Sequence, residues 1–463
     1  MSAAAAAAPV ALAAREAVER ALDRARRAGA DQADALVIEG ESTEVRVRGD
    51  EIDVVTQARE RGLGLRVLVK GKGGLSGAVS STGDLTAEAV DRLAADTATL
   101  ARATAPDPAA GLPRGGFAAE EPGLDLALLD PADRSLSLEA RIDAARRAEA
   151  AARDTDPRIT NSEGSEASSS LSRVVYANSA GFAGEYERAE HGLASMPVAS
   201  DGDTMQVDFW TSVARRWAAL EDPASVGRRA AERALRRLGA RQVATCEVPV
   251  IFEPTVARSL LGHLVACVSG SAVYRGTSFL AGRLGDALAP RTVTVLDDGR
   301  LAGGLGSRPF DGEGLATRRT AVLEQGRLAS YLLDTYTGRK LGLASTGNAT
   351  RGVGGTPSPG PGNLWLAAGE TPPEDIVADT RRGLLVTYLF GHGFNPVTGD
   401  FSRGAAGLWI EDGRAVHPVH EVTIAGNLAD MLAGVDAVGD DLLWQGRVAA
   451  PTLRIARMTV AGS

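Results

Sequence analysis

Five histidines and two cysteines are the only imidazole and thiol groups this sequence offers to a catalytic metal. They are His191, His263, His392, His417 and His420, with Cys246 and Cys267. No two histidines stand four or five positions apart, so neither HExxH nor HExxxH occurs, and no cysteine follows Cys267. His263 and Cys267 lie at i and i+4 in a stretch of helical periodicity and could share a cation from one helix face. No third ligand accompanies them. Leu260, Leu264, Cys267 and Val268 equally form the buried stripe of a core helix, with His263 at its edge. The cluster His417-Pro-Val-His420-Glu421 contains Pro418, which opposes a helix, and it runs into the β-rich stretch Val422-Thr-Ile-Ala425. Residues three apart on a strand point to opposite faces, so this cluster reads as surface strand. No catalytic residue and no metal ligand is assigned.

Two polar groups carry binding potential. Arg275, Thr277 and Ser278 present a guanidinium and two hydroxyls, suited to a peptide carboxylate or backbone and equally suited to pinning a loop. Thr346, Gly347 and Asn348 divide the same way, because Gly347 and Asn348 fit a turn with positive φ. Asp297-Asp298 and Asp440-Asp441 sit beside glycines and read as turn acids rather than a general acid/base pair. There is no P-loop, no GxGxxG after a strand and no GxSxG elbow.

The elements that would position these residues fall into two textures, and the whole reads as α+β. Residues 1–10 read as a disordered N-terminus, and 11–240 as an N-terminal α+β domain of helices and antiparallel strands. It comprises two similar units, 11–105 and 130–240, that suggest an internal duplication. The first has a helix over 11–28, short strands near 35–38, 44–48 and 52–56, a hairpin over 62–70 and 74–80, and a helix over 86–103. The second has a helix over 136–153, strands over 169–177, 183–195 and 205–214, and a helix over 225–238. Residues 241–463 read as a mostly antiparallel sheet or barrel-like domain, opening with a strand at 248–252 and a helix over 254–268. Hairpins are expected at Asp298-Gly299, Gln325-Gly326 and Asp412-Gly413, and an irregular loop over 351–362.

Of 463 residues, 44% are hydrophobic and 24% charged, an ordinary globular balance, and the net charge is −9. An acidic chain does not attract a phosphate backbone, so no direct nucleic-acid partner is expected. The basic run Arg228, Arg229, Arg233, Arg236, Arg237 and Arg241 has helical spacing and reads as a solvated helix face. Two cysteines in so long a chain indicate a reducing compartment. With no signal peptide and no membrane-length apolar run, a cytoplasmic location away from membranes is expected.

Several stretches in order resemble the TldD/PmbA family: Ser259-Leu-Leu-Gly-His263, Tyr274-Arg-Gly-Thr-Ser-Phe279, Ser345-Thr-Gly-Asn348, Pro418-Val-His-Glu-Val-Thr-Ile-Ala-Gly-Asn427 and Val438-Gly-Asp-Asp441. In that family the TldD subunit binds zinc through HExxxH on a helix and a cysteine near its C-terminus. With Arg275-Gly-Thr-Ser278 as anchor, the two histidines fall here at Leu261 and Ala266, and the glutamate at Gly262. The resemblance is therefore to the TldE/PmbA branch. It implies a cofactor-free, non-catalytic subunit paired with a TldD-like, HExxxH-bearing and zinc-holding subunit, acting together on unstructured peptides. A stand-alone regulatory protein of the gyrase-modulator type is the alternative.

Overall fold

A computed structural model describes residues 11–119, 124–202 and 204–462. The disorder expected over 1–10 lies outside the described residues.

The first half builds one seven-stranded antiparallel sheet. Its strands are β1 (Gln32–Arg48), β2 (Glu51–Gly71), β3 (Gly74–Thr82), β4 (Ile159–Asn178), β5 (Ala183–Asp201), β6 (Thr204–Val207) and β7 (Trp210–Ala214). Strands of both sequence units meet in the β1–β4 pairing, so the sheet is continuous across them. The short strands expected near 35–56 are segments of two long ones. The run Gly40-Glu-Ser-Thr43 breaks the hydrophobic pattern but not the backbone ladder, because β1 is hydrogen-bonded on both sides through it. The strand expected over 205–214 is interrupted at Asp208, whose buried carboxylate meets Arg233.

Four helices cover one face: α1 (Ala14–Arg27), α2 (Ala87–Ala103), α3 (Leu138–Arg153) and α4 (Pro223–Leu235). The hydroxyls of Thr86 and Ser137 cap α2 and α3 by accepting backbone N–H groups three residues on. Ala17, Val18, Ala21 and Ala25 of α1 and Val90, Ala94 and Ala98 of α2 pack on Val37, Leu65 and Val67. Ala144, Ala145 and Ala148 of α3 and Val226 and Ala230 of α4 pack on Val45, Val47 and Leu193. Alternation places Asp34, Leu36, Arg66, Val174 and Tyr176 on the opposite face, toward the C-terminal half.

That half begins with β8 (Cys246–Phe252) and α5 (Pro254–Val268). Strands Arg414–Asn427, Asp400–Glu411, Arg382–Phe390, β8 and Leu453–Ala461 pair in that order, and contact between the first and last closes a five-stranded barrel. A second six-stranded sheet contains Val295–Asp298, Arg319–Glu324 and Asn363–Leu366, and α5 lies in the shared core with Leu260, Leu264 and Cys267 buried. Gln325-Gly326 and Asp412-Gly413 form tight hairpin turns with positive φ at both positions. Asp298-Gly299 does not: Val295–Asp298 pairs instead with the distant Arg319–Glu324 and Asn363–Leu366. No described helix is long and apolar enough to cross a membrane.

The basic run is not wholly solvated. Arg228, Arg229 and Arg241 are exposed, but Arg233 and Arg237 are buried. Arg233 lies 2.6 Å from Glu253, just before α5, and donates to Asp208 and to the Thr387 carbonyl, riveting α4 to the barrel. Arg237 donates to the Val207 carbonyl and lies over the Tyr388 ring. Arg233→Ala would remove the cation shared by Asp208 and Glu253, leaving them to Arg237 and Arg236, and should cost about 1–3 kcal/mol, whereas Arg228→Ala should change stability by less than about 0.5 kcal/mol. Paired urea melts of the two variants check this; equal, small effects would contradict the rivet.

Candidate functional site

The helix expected over 254–268 is α5, and Pro254 opens it at a position where its missing N–H is harmless. Its inner side is fixed by the core, and Leu261 belongs to that side. Gly262 and Ala266 face outward, and a Cβ on Gly262 would meet nothing within 4 Å. His263 is half-buried, stacked on Phe394 with ring centroids 4.4 Å apart and edge-on to Phe401. Desolvation lowers its pKa to about 4, and its Nε2 has no hydrogen-bond partner. Cys267 is turned fully into the core, where burial pushes the thiol up to about 12. His263 and Cys267 thus share a helix but not a surface, and among the described residues no three His, Cys, Asp or Glu side chains converge as metal donors. The residues present on and around α5 do not fit a zinc ion. His417 and His420 lie on the strand Arg414–Asn427, as expected.

Beyond α5, Arg275 is exposed and its Nε donates to the Tyr274 hydroxyl at 2.9 Å. Thr277, also exposed, donates to the Ala272 carbonyl. Ser278 is buried: its hydroxyl donates to the Cys267 carbonyl at 2.7 Å and accepts from Leu280 N at 3.0 Å, tying the loop back to α5. Thr346 Oγ1 accepts from Leu333 N and donates to the Leu333 carbonyl. Gly347 has φ +74, and a Cβ there would sit 2.6 Å from the Ala316 carbonyl oxygen, so both the conformation and the space require glycine. Asn348 is buried and donates through Nδ2 to Asp297 Oδ2 at 2.7 Å and to the Gly360 carbonyl. Among the described residues no hydrogen bond or ion pair joins Arg275, Thr277 or Ser278 to Thr346, Gly347 or Asn348.

Asp297 is not a turn acid. It lies on a central strand, fully buried, and desolvation lifts its pKa to about 7 despite the Asn348 amide. Its Oδ1 and Asn348 Oδ1 both lack partners, so a proton on Asp297 supplies a donor where none exists. Asp441 does act locally, accepting from Thr452 N and Oγ1.

Two further constellations join residues that are far apart in the sequence. In the first, Asp133, His191 and Ser169 form a buried chain: His191 Nε2 is 3.1 Å from Asp133 Oδ2, and Nδ1 is 2.9 Å from Ser169 Oγ. It has the order of a hydrolytic triad, yet Arg141 Nε donates to Ser169 Oγ, Trp217 packs edge-on to the imidazole, and all three members are buried. This chain anchors Pro131–Ser135 to the sheet. In the second, Asp34 on β1 receives Arg66 of β2 (Nε at 2.9 Å) and, on its other oxygen, Arg351 of the C-terminal loop. Burial alone would raise the Asp34 carboxyl, but Arg351 and Arg66 outweigh it and hold the group below its ordinary value. Around them, Asp311, Glu313 and Asp334 are all pushed upward by desolvation. The usable signal was Arg66 and Asp34 embedded in strands apolar on both faces, which requires a covering layer that can pair a charge.

The fold and these sites define a three-module α+β protein: two helix-covered units on one sheet, and a barrel domain carrying a buried helix. Its modules match the PmbA/TldA metallopeptidase domain 1 over 33–101, the central domain over 131–238 and the C-terminal domain over 245–462. The chain belongs to the PmbA/TldD family. It is 37% identical to the metalloprotease PmbA of Escherichia coli O157:H7, with 96% of each chain covered, and 33% identical to a PmbA homolog of Haemophilus influenzae. A Bacteroides thetaiotaomicron structure, described as a proposed modulator of DNA gyrase, superposes with a TM-score of 0.88 at 27% identity, covering 96% of this chain and 98% of that one. TldE of Thermococcus kodakarensis shares the fold, with a TM-score of 0.85 at 22% identity over 96% of this chain and all of that one.

Asp297 generates a signed prediction. Its folded pKa near 7 exceeds the unfolded value of about 3.9, so the folded state holds the proton more tightly. That stabilisation is present at low pH and is lost as pH rises from about 4 to about 7. Asp297→Asn, always neutral, should therefore raise the melting temperature more at alkaline than at mildly acidic pH in scanning fluorimetry. An equal shift at both would contradict the assignment.

Proposed function

We propose that this chain is the metal-free subunit of a two-chain metallopeptidase of the TldD/TldE type, working in the cytoplasm on unstructured peptides. The observation that carries the reading is α5. The helix and the Arg275-Gly-Thr-Ser278 loop behind it are present, and the family resemblance, anchored on that loop, sets the HExxxH donors at Leu261, Gly262 and Ala266. A leucine turned into the core, a glycine and an alanine cannot coordinate a cation or take a proton from water. Relatives at 33–37% identity carry the name metalloprotease. A peptidase role is compatible with this chain if a partner subunit supplies the zinc, the activated water and the HExxxH glutamate.

In such a pair this chain contributes a rigid surface. Arg233 and the Asp34 ion group hold the sheet and the barrel in one orientation, which a partner's active site needs in order to be enclosed and kept in register. A stand-alone regulatory protein is the second reading, favoured by the gyrase-modulator description of the Bacteroides and Thermotoga maritima structures.

The two readings separate in one experiment. This chain is co-expressed with the HExxxH-bearing protein, passed over a sizing column, and assayed on an unstructured peptide beside each chain alone. Co-elution and cleavage that require both chains, lost when the partner's HExxxH glutamate becomes glutamine, are expected. Cleavage by this chain alone, or no association with the partner, would overturn the proposal.

A further inference from the structure

Strands β2 and β3, residues 104–111, the Glu313 and Asp334 loops and the segment Gly354–Pro357 surround a cavity of about 650 Å³. Leu68, Leu75 and Val79 give it apolar walls, and Arg66, Glu313 and Asp334 also line it. Arg66 is already engaged by Asp34 through two nitrogens, so it is not an open anion site. The two carboxyls are in the reverse condition. Neither Glu313 nor Asp334 has an ion-pair partner among the described residues. Asp334 Oδ1 is used to cap the short helix Thr335–Leu341. Glu313, only 1% exposed, accepts a single hydrogen bond, at Oε2 from Thr335 N at 2.8 Å, and its Oε1 accepts none. Arg66 acts on Glu313 through space but makes no hydrogen bond to it, so a carboxyl oxygen stays free beside apolar walls for a cation small enough to enter.

We propose that this cavity binds an ammonium or guanidinium group carried on an aliphatic stem, with Glu313 receiving the charged head and Leu68, Leu75 and Val79 packing the stem. Amphipathic cations partition in this way, burying methylenes while the head keeps its hydrogen bonds. Desolvation, which holds both carboxyls above their ordinary range, is relieved when a cation pairs with them. Two sources supply this chemistry: a lysine or arginine side chain of an unfolded polypeptide, and a free polyamine. The site lies wholly within this chain and does not rest on its having a partner.

The full chain, alone, is titrated by fluorescence anisotropy against a labelled Gly/Ser decapeptide with one central lysine and against its Nε-acetyl-lysine counterpart. Spermidine and the unlabelled lysine peptide serve as competitors. The lysine peptide should bind, and acetylation should weaken it by about tenfold or more. Glu313→Gln keeps an acceptor for Thr335 N but removes the charge, and Val79→Phe fills the cavity without touching the ion group. Each variant, shown to be folded by its thermal melt, should weaken the lysine peptide by about the same factor. Competition by the lysine peptide at lower concentration than spermidine assigns a polypeptide ligand, and the reverse assigns a polyamine. Equal binding of the acetylated peptide, indifference to Glu313→Gln, or no binding of any probe would overturn the site.

Discussion

A single carboxylate, Asp34, is shared by guanidinium groups from the two halves of the molecule, and the relation between those halves depends on it. Asp34 and Arg66 face each other across β1 and β2, whereas Arg351 arrives from a loop more than three hundred residues later. All three side chains are buried, so removing Asp34 strands two guanidinium groups in a low-dielectric interior, at a cost of about 3–5 kcal/mol, whereas removing either arginine leaves a paired ion. The group therefore fixes position more than it adds net stability. Packed beside it, Phe310 contacts Tyr176, Phe182 and Tyr186, with ring centroids 5.2–6.2 Å apart, and supplies the apolar part of the same junction. Arg233 with Glu253, and Arg215 donating to the Gly304 carbonyl, repeat the device elsewhere along the seam.

The same division between fixed and free runs through α5. Seven of its side chains are committed to the C-terminal core, which sets the rotation of the helix. Gly262 and Ala266 are then left on the outer side, where a Cβ on Gly262 would meet nothing within 4 Å. His263 shows the complementary case, an imidazole adjacent to that surface, stacked on Phe394, edge-on to Phe401 and held below its ordinary pKa by burial and by Arg403.

Much of the architecture was legible from local pattern. The five long helices appear within a few residues of where periodicity and capping residues place them, because Thr86, Ser137 and Pro254 act through their immediate neighbours. The hairpins at Gln325-Gly326 and Asp412-Gly413 are local in the same sense. What was not legible depends on distant partners. The polar middle of β1 is strand because both neighbours pair with it, and Asp297 is core because its strand is central. Arg233 and Arg237 look like a solvated stripe until the barrel is laid against α4. The α5 positions were legible as a resemblance, while the ion group around Asp34 was legible only as buried charge on two apolar strands, because nothing in the sequence points from positions 34 and 66 to 351.

The central claim is that α5 is a core helix whose residues do not fit a metal. The most direct measurement is metal content: the purified chain is dialysed against zinc, washed and analysed for bound metal by mass spectrometry. The account predicts substoichiometric zinc that His263→Ala and Cys267→Ala leave unchanged. One tightly held zinc per chain, lost in either variant, would contradict it.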